Sequence, residues 1–110
     1  MPNTFKRKTS RAVGTSATSI GGYTVAASTQ VTAIGLTCAN ILTTPITVDV
    51  VHSDGSNDTS IVKGATVPSG GSLVVVGGDQ KVVLETGDSV KITSSAASSV
   101  DAIMSILEIT

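Results

Sequence analysis

The residues with chemistry suited to catalysis are few and lie apart along the chain. His52 is the one histidine, and general acid–base or nucleophilic catalysis needs a base of tuned pKa beside a nucleophile. Asp49 lies three residues before His52, so on a strand the two side chains point to opposite faces and do not form a dyad. We therefore expect a solvated His52 at a strand end, no catalytic residues and no cofactor.

A short acidic segment could instead place oxygen ligands around a cation. Asp54, Ser56 and Asp58 have the alternate-residue spacing of calcium loops. The sixth position of such a loop is Thr59 rather than glycine, and the twelfth is Ala65 rather than glutamate, which excludes an EF-hand. We expect a turn closed by Asx hydrogen bonds and no metal site, with an ion bound at 54–58 as the open alternative.

The single cysteine, Cys38, lies in an apolar run. A lone cysteine cannot form an internal disulfide, and free cysteine behaves as a small apolar side chain. The sequence therefore predicts a buried, inert thiol.

The charges are distributed unevenly. Residues 1–11 carry four cations and no acid, whereas residues 12–110 carry three lysines against eight carboxylates, a net charge of −5. Such a chain can lay its basic segment on the acidic face of an identical neighbour or of another protein, with contacts that weaken as salt rises. The candidate docking residues are Phe5, Lys6, Arg7, Lys8 and Arg11.

Nucleic acid is the alternative partner for this basic segment, because clustered Lys and Arg release counterions from phosphates. Four cations are few for that task, the acidic remainder of the chain would be repelled, and Phe5 is the one aromatic residue near the cluster. We expect a protein partner rather than nucleic acid.

The elements that must position these residues are short strands. Residues 1–17 show no apolar period and contain Pro2 and Gly14, which predicts an extended N-terminal arm that a partner must order. Apolar and alternating runs then recur between turn signals. They give eight candidate strands at 20–25, 30–39, 46–51, 59–63, 73–76, 82–84, 90–93 and 100–109.

Strands at this spacing predict an all-β fold, a single antiparallel β-sandwich of jelly-roll-like or immunoglobulin-like type over residues 18–110. Only 2% of residues are aromatic, so Val, Ile, Leu and Ala must form the core. Helix is the alternative for the last segment, but its β-branched residues favour strand. No apolar run is long enough for a membrane span and no secretory signal is visible, so we expect a cytoplasmic protein without membrane partners.

A family resemblance is carried by MPNTFKRKTSRAVGTS, PITVDV and VPSGGSLVVVGGDQKVVLETGDSVKITSSAASSVDAIMSILE. Together these segments resemble small virion structural proteins of tailed bacteriophages, in particular cyanophage-like ones. The resemblance implies a non-enzymatic protein in many symmetric copies, assembled into the virion in the host cytoplasm. Its implied partners are other copies of itself and the major capsid, tail or neck proteins.

The resemblance leaves several positions in the virion open. Capsid decoration or cement is the role that we expect first, and a neck, tail or baseplate adaptor is the alternative. A host-receptor-binding module is less favoured, because the loops 53–58, 66–71 and 77–79 contain none of the aromatic residues that receptor or glycan sites generally use.

Overall fold

The computed structural model describes residues 3–77 and 81–110. These ranges contain nine strands and a short 3₁₀ turn at Ile20–Gly22. The strands are β1 Asn3–Val13, β2 Thr18–Ser19, β3 Gln30–Asn40, β4 Ile46–Ser53, β5 Asp58–Val67, β6 Ser72–Val76, β7 Val82–Leu84, β8 Ser89–Ser94 and β9 Val100–Ile109. Within these ranges, no helix has the length and apolar character needed to cross a bilayer.

The strands form two antiparallel sheets. The first has the order β1-β9-β3-β6, with β7 also pairing with β3, and the second has the order β2-β8-β4-β5. Neighbours in each sheet are mostly distant in sequence, so the chain crosses repeatedly between the sheets. The predicted all-β sandwich is confirmed.

Most predicted strands are confirmed, with small changes at their ends. The segment 30–39 is the central strand β3, and 100–109 is strand β9 rather than a helix. The prediction at 20–25 is wrong, because Gly21 and Gly22 have φ values of 64° and 62°, in the left-handed region that an extended strand does not use. The turn predicted at 77–79 lies, apart from Gly77, outside the described residues.

The core is aliphatic and lies between the sheets. Its largest fully buried side chains are Ile20, Leu36, Leu84, Ile92, Met104 and Ile106. Cys38 in β3 is also fully buried, and burial raises the pKa of its thiol to about 11. The prediction of a buried thiol is confirmed, and at neutral pH it is held in its unreactive protonated form.

The alternation along β9 gives a direct test of this core. Ile106 faces the core and is fully buried, whereas Ile103 on the same strand faces outward and is exposed. We expect Ile106→Ala to lower the free energy of unfolding by about 2–5 kcal/mol, because it leaves a cavity between the sheets. The matched change Ile103→Ala should cost about 1 kcal/mol or less. Urea unfolding followed by circular dichroism measures both, and equal losses would contradict the assigned faces.

Candidate assembly interface

The predicted N-terminal arm has a partner within its own chain. Residues of β1 pair with β9 in continuous antiparallel register from Asn3 opposite Ile109 to Ser10 opposite Ala102. The extended conformation agrees with the sequence prediction, but the described part of the arm is an edge strand of the sandwich, since the edge of β9 supplies hydrogen-bond partners for its backbone. The division into an arm at 1–17 and a domain at 18–110, and docking of the arm on a neighbour, stay predictions.

Strand alternation divides the candidate docking residues between two sides of the sheet. Phe5 is opposite Leu107 and Arg7 is opposite Ser105, all on the outer face. Lys6 is opposite Ile106, and Lys8 is likewise opposite a core residue of β9, so these two lysines lie on the inner side. The basic cluster is therefore two sets of cations with different surroundings.

The inner lysines are held by contacts within the chain. Lys6 Nζ lies 2.9 Å from Glu108 Oε1, and Lys8 Nζ lies 4.8 Å from the centroid of the Tyr23 ring, a cation–π contact. The Tyr23 hydroxyl donates a hydrogen bond to Glu108 Oε2. We call Tyr23, Glu108 and the adjacent Gly21 the β1 seat.

The contacts within the β1 seat shift the pKa values of Tyr23 and Glu108. The hydrogen bond from Tyr23, together with Lys6, holds the pKa of Glu108 below its ordinary value. Burial raises the pKa of Tyr23 well above its ordinary value, and the neighbouring Glu108 carboxylate acts in the same direction. The contact therefore favours Glu108 as a carboxylate and Tyr23 as a neutral phenol.

Gly21 allows β1 to approach the 3₁₀ turn closely. Its backbone N–H donates to Ser10 Oγ at 2.8 Å. A Cβ at Gly21 would lie 2.8 Å from Lys8 Cβ, and the residue has the left-handed φ of 64° that glycine tolerates best. No alternative side chain fits at this position without moving β1.

The outer face of the first sheet is unusually apolar. Among the described residues, four of the five large apolar side chains that are exposed lie on this face: Phe5 at 74%, Val74 at 64%, Val83 at 63% and Ile103 at 48%. They lie in two rows that cross four strands each. The rows are Val83, Thr32, Leu107 and Phe5, and Val74, Thr37, Ile103 and Thr9.

Two arginines accompany these rows. Arg7 and Arg11 are exposed, and neither has an ion pair within the described residues. Arg11 lines a shallow groove of ≈ 280 Å³ with Asp101, Thr9 and Ile103 among its other walls. The face therefore combines aliphatic area, a concave site and cations available to a partner.

His52 does not have the solvated environment expected from the sequence. Its Nε2 lies 2.9 Å from Asp88 Oδ2, and the same oxygen accepts a hydrogen bond from the backbone N–H of Glu85 at 2.9 Å. Asp49 instead accepts from the Gly64 N–H at 2.6 Å. Asp88 is the one side chain hydrogen-bonded to His52 in the described ranges, and the pair joins a loop to the end of β4.

The segment 54–58 forms the expected turn. Asp54 Oδ1 accepts hydrogen bonds from the N–H groups of Asn57 at 2.7 Å and of Ser56 at 2.9 Å. These bonds, the Asn57 bond first, lower the pKa of the Asp54 carboxyl. Where the structure describes the chain, no three His, Cys, Asp or Glu side chains are grouped as a metal site requires.

The chain is similar to known proteins in fold alone. No protein-family model matches it, and no curated protein matches it. A chain from the Bacillus endospore appendages, which form a family of disulfide-linked pili, is 23% identical with a TM-score of 0.53; the match covers 99% of this chain and 85% of that one. A chain from the virus-like particle of the extra small virus of the prawn Macrobrachium rosenbergii is 12% identical with a TM-score of 0.48, covering 99% and 79%.

Because Tyr23 is the one tyrosine and the chain has no tryptophan, its ultraviolet titration reports on the β1 seat alone. We expect phenolate absorbance to appear far above pH 10 in the native protein, and at lower pH in Glu108→Gln, which removes the carboxylate. Identical titrations for the two proteins would contradict the contact. A tyrosine with a raised pKa stabilises the fold below its unfolded pKa, and this stabilisation is lost as pH rises through the folded value.

Glu108 should change the stability of the fold in acid, whereas Tyr23 changes it in alkali. The lowered pKa of Glu108 stabilises the fold above its unfolded value, and this stabilisation disappears as pH falls through the folded value. Urea unfolding should therefore find the native protein more stable than Glu108→Gln at neutral pH, with the gap closing in acid. A gap that is constant with pH would show that the glutamate acts through packing rather than charge.

Proposed function

We propose that this protein is a non-enzymatic structural subunit of a bacteriophage virion that docks on neighbouring subunits through the outer face of its first sheet. Capsid decoration or cement is the role proposed first. The observation that carries the proposal is the concentration of large exposed apolar side chains on one face, beside two arginines that have no ion pair within the described residues. Extended apolar patches of this kind mark interaction sites, because leaving them in water is unfavourable.

The chemistry of the face indicates its partner. The exposed apolar side chains of the two rows favour apolar groups on the partner, and the cations at Arg7 and Arg11 favour carboxylates opposite them. The groove beside Arg11 can receive one protruding side chain of that partner. Of the residues expected to dock, Phe5, Arg7 and Arg11 make this contact, while Lys6 and Lys8 hold β1 in place.

The neighbour from the endospore appendages supports an assembly role, since those appendages are pili. Those pili are disulfide-linked, whereas Cys38 here is buried in β3 and is the one cysteine of the chain. Folded copies of this chain therefore have no accessible thiol with which to join.

A neck, tail or baseplate adaptor is the alternative position, because the same face can serve in a ring as well as on a lattice. A host-receptor-binding module is less favoured. The exposed apolar groups of this face are mainly aliphatic, whereas receptor and glycan sites generally use aromatic platforms.

Charge reversal tests the docking face. We expect the double variant Arg7→Glu and Arg11→Glu to lower incorporation into particles about tenfold or more at low salt, because attraction to the partner's carboxylates becomes repulsion. Quantitative mass spectrometry of purified particles measures the copies bound. The loss should be smaller at high salt, where both attraction and repulsion are screened.

The matched control is Lys63→Glu with Lys91→Glu, which makes the same change of charge on the second sheet. This control should be incorporated normally. Equal losses in the two double variants would show that net charge rather than this face governs docking. Circular dichroism of each purified variant verifies that the fold is retained.

Electron cryomicroscopy of intact particles distinguishes the proposed positions. A cement or decoration protein should give density for this β-domain at the junctions between capsomers. A ring of density on the tail axis would instead identify a neck, tail or baseplate adaptor. Density at the tips of tail fibres would overturn both in favour of host binding.

A further inference from the structure

The strand β1 can separate from the sandwich without opening the core. None of the residues 3–11 is fully buried, and Val13 is the first core residue of the chain. Apart from its backbone pairing, β1 is held by the polar contacts of Lys6, Lys8 and Ser10 with the β1 seat, and by a hydrogen bond of 2.8 Å from the Ala12 N–H to Asp101 Oδ1. Lifting residues 3–11 would therefore break hydrogen bonds, one ion pair and one cation–π contact but leave no cavity between the sheets.

A strained hinge lies where β1 joins the core. Ala12 has a φ of 53°, which is unfavourable for a residue with a Cβ, and the register with β9 shifts between Ser10 and Val13. The chain is fixed directly after this point. Val13 O accepts from the Ser99 N–H at 3.0 Å, and Gly14 O accepts from the Ser94 N–H at 2.9 Å.

We propose that β1 is exchanged between copies, so that residues 3–11 of one subunit pair with β9 of the next and occupy its β1 seat. This inference rests on the proposed function and names the surface that receives the arm. The occupant is a second copy, because the acceptor groups Gly21, Tyr23 and Glu108 belong to the body of every chain. Lys6 and Lys8 then bring positive charge to a body whose net charge is −5.

Geometry and strain both favour this exchange. Nine extended residues span about 30 Å, against molecular widths of 28 and 21 Å, so an opened strand reaches across a neighbour. The exchanged strand makes the same contacts as the intrachain one, while the left-handed Ala12 is free to relax. Subunits that each give and receive one strand are linked without a disulfide.

Cysteine trapping tests the exchange. Thr9 and Ile103 are directly opposite each other on the outer face. Two variants are made, Thr9→Cys and Ile103→Cys, each in a chain that also carries Cys38→Ala. The two proteins are mixed, unfolded and refolded together, and then assembled into particles and oxidised. Each chain lacks the partner thiol, so a disulfide between the two variants joins different copies. Peptide mass spectrometry distinguishes this disulfide from dimers of either variant alone. We expect a large fraction of cross-linked dimer on a non-reducing gel.

Two controls test whether the disulfide can form and whether β1 pairs with a different strand. The double variant Thr9→Cys with Ile103→Cys must form a disulfide, which shows that the geometry permits the bond. Thr9→Cys mixed with Ser60→Cys reports pairing of β1 with the exposed edge strand β5. The exchange is overturned if the double variant links only within one chain while the mixture gives no dimer, or if the Ser60 mixture cross-links instead.

Substitutions at the hinge provide a second, independent measurement. Ala12→Gly removes the strain of the closed form, so it should lower the cross-linked fraction severalfold. Ala12→Pro cannot adopt a φ of 53° and also lacks the N–H that donates to Asp101 Oδ1, so it should raise that fraction. No difference between the two variants would contradict a hinge at this residue.

The outcomes separate this inference from the proposed function. If cross-links form only within chains but the Arg7 and Arg11 reversal still prevents incorporation, the docking face stands and the exchange fails. If mixed cross-links form but the reversal has no effect on incorporation, the exchange stands and the proposed docking face fails.

Discussion

The structure depends on the two-residue alternation of β9, which lies between β1 and β3 in the first sheet. Its inward residues, such as Met104 and Ile106, fill the core, while Ile103 and Leu107 project to the outer face. A strand with both edges paired holds its side chains in fixed directions. One strand therefore contributes both to the core and to the candidate interface. A shift of its register by one residue would turn its core residues outward and its outer residues inward.

The two long edge strands are protected from uncontrolled pairing in different ways. The ladder of β5 with β4 is interrupted by two register shifts, and Gly64 in β5 has a left-handed φ of 64°. Such irregularities discourage a further strand from adding to that edge. The ladder of β1 is regular from Asn3 to Ser10, and its protection is the charge of its lysines and arginines. Charge, unlike a bulge, still permits pairing with a surface of opposite sign.

The four cations of β1 consequently have two roles. Lys6 and Lys8 bind the carboxylate and ring of the β1 seat, so they determine where the strand lies. Arg7 and Arg11 lie on the outer side beside the exposed apolar side chains, where the proposed partner would meet them. Such a division allows one strand to belong to the fold and to the interface together. The proposed exchange depends on the same division, since the attachment of the strand is polar and peripheral.

The sequence by itself determined the class of fold, most strand positions, the buried thiol and the Asx turn at Asp54, because these follow from local patterns of apolar, turn-forming and β-branched residues. It also located the basic cluster but not the different surroundings of its members. Only the tertiary structure decided that β1 pairs with β9, that His52 meets Asp88, and that Phe5, Val74, Val83 and Ile103 share one face. These are contacts between residues far apart in the chain, and a local pattern cannot specify which strands become neighbours.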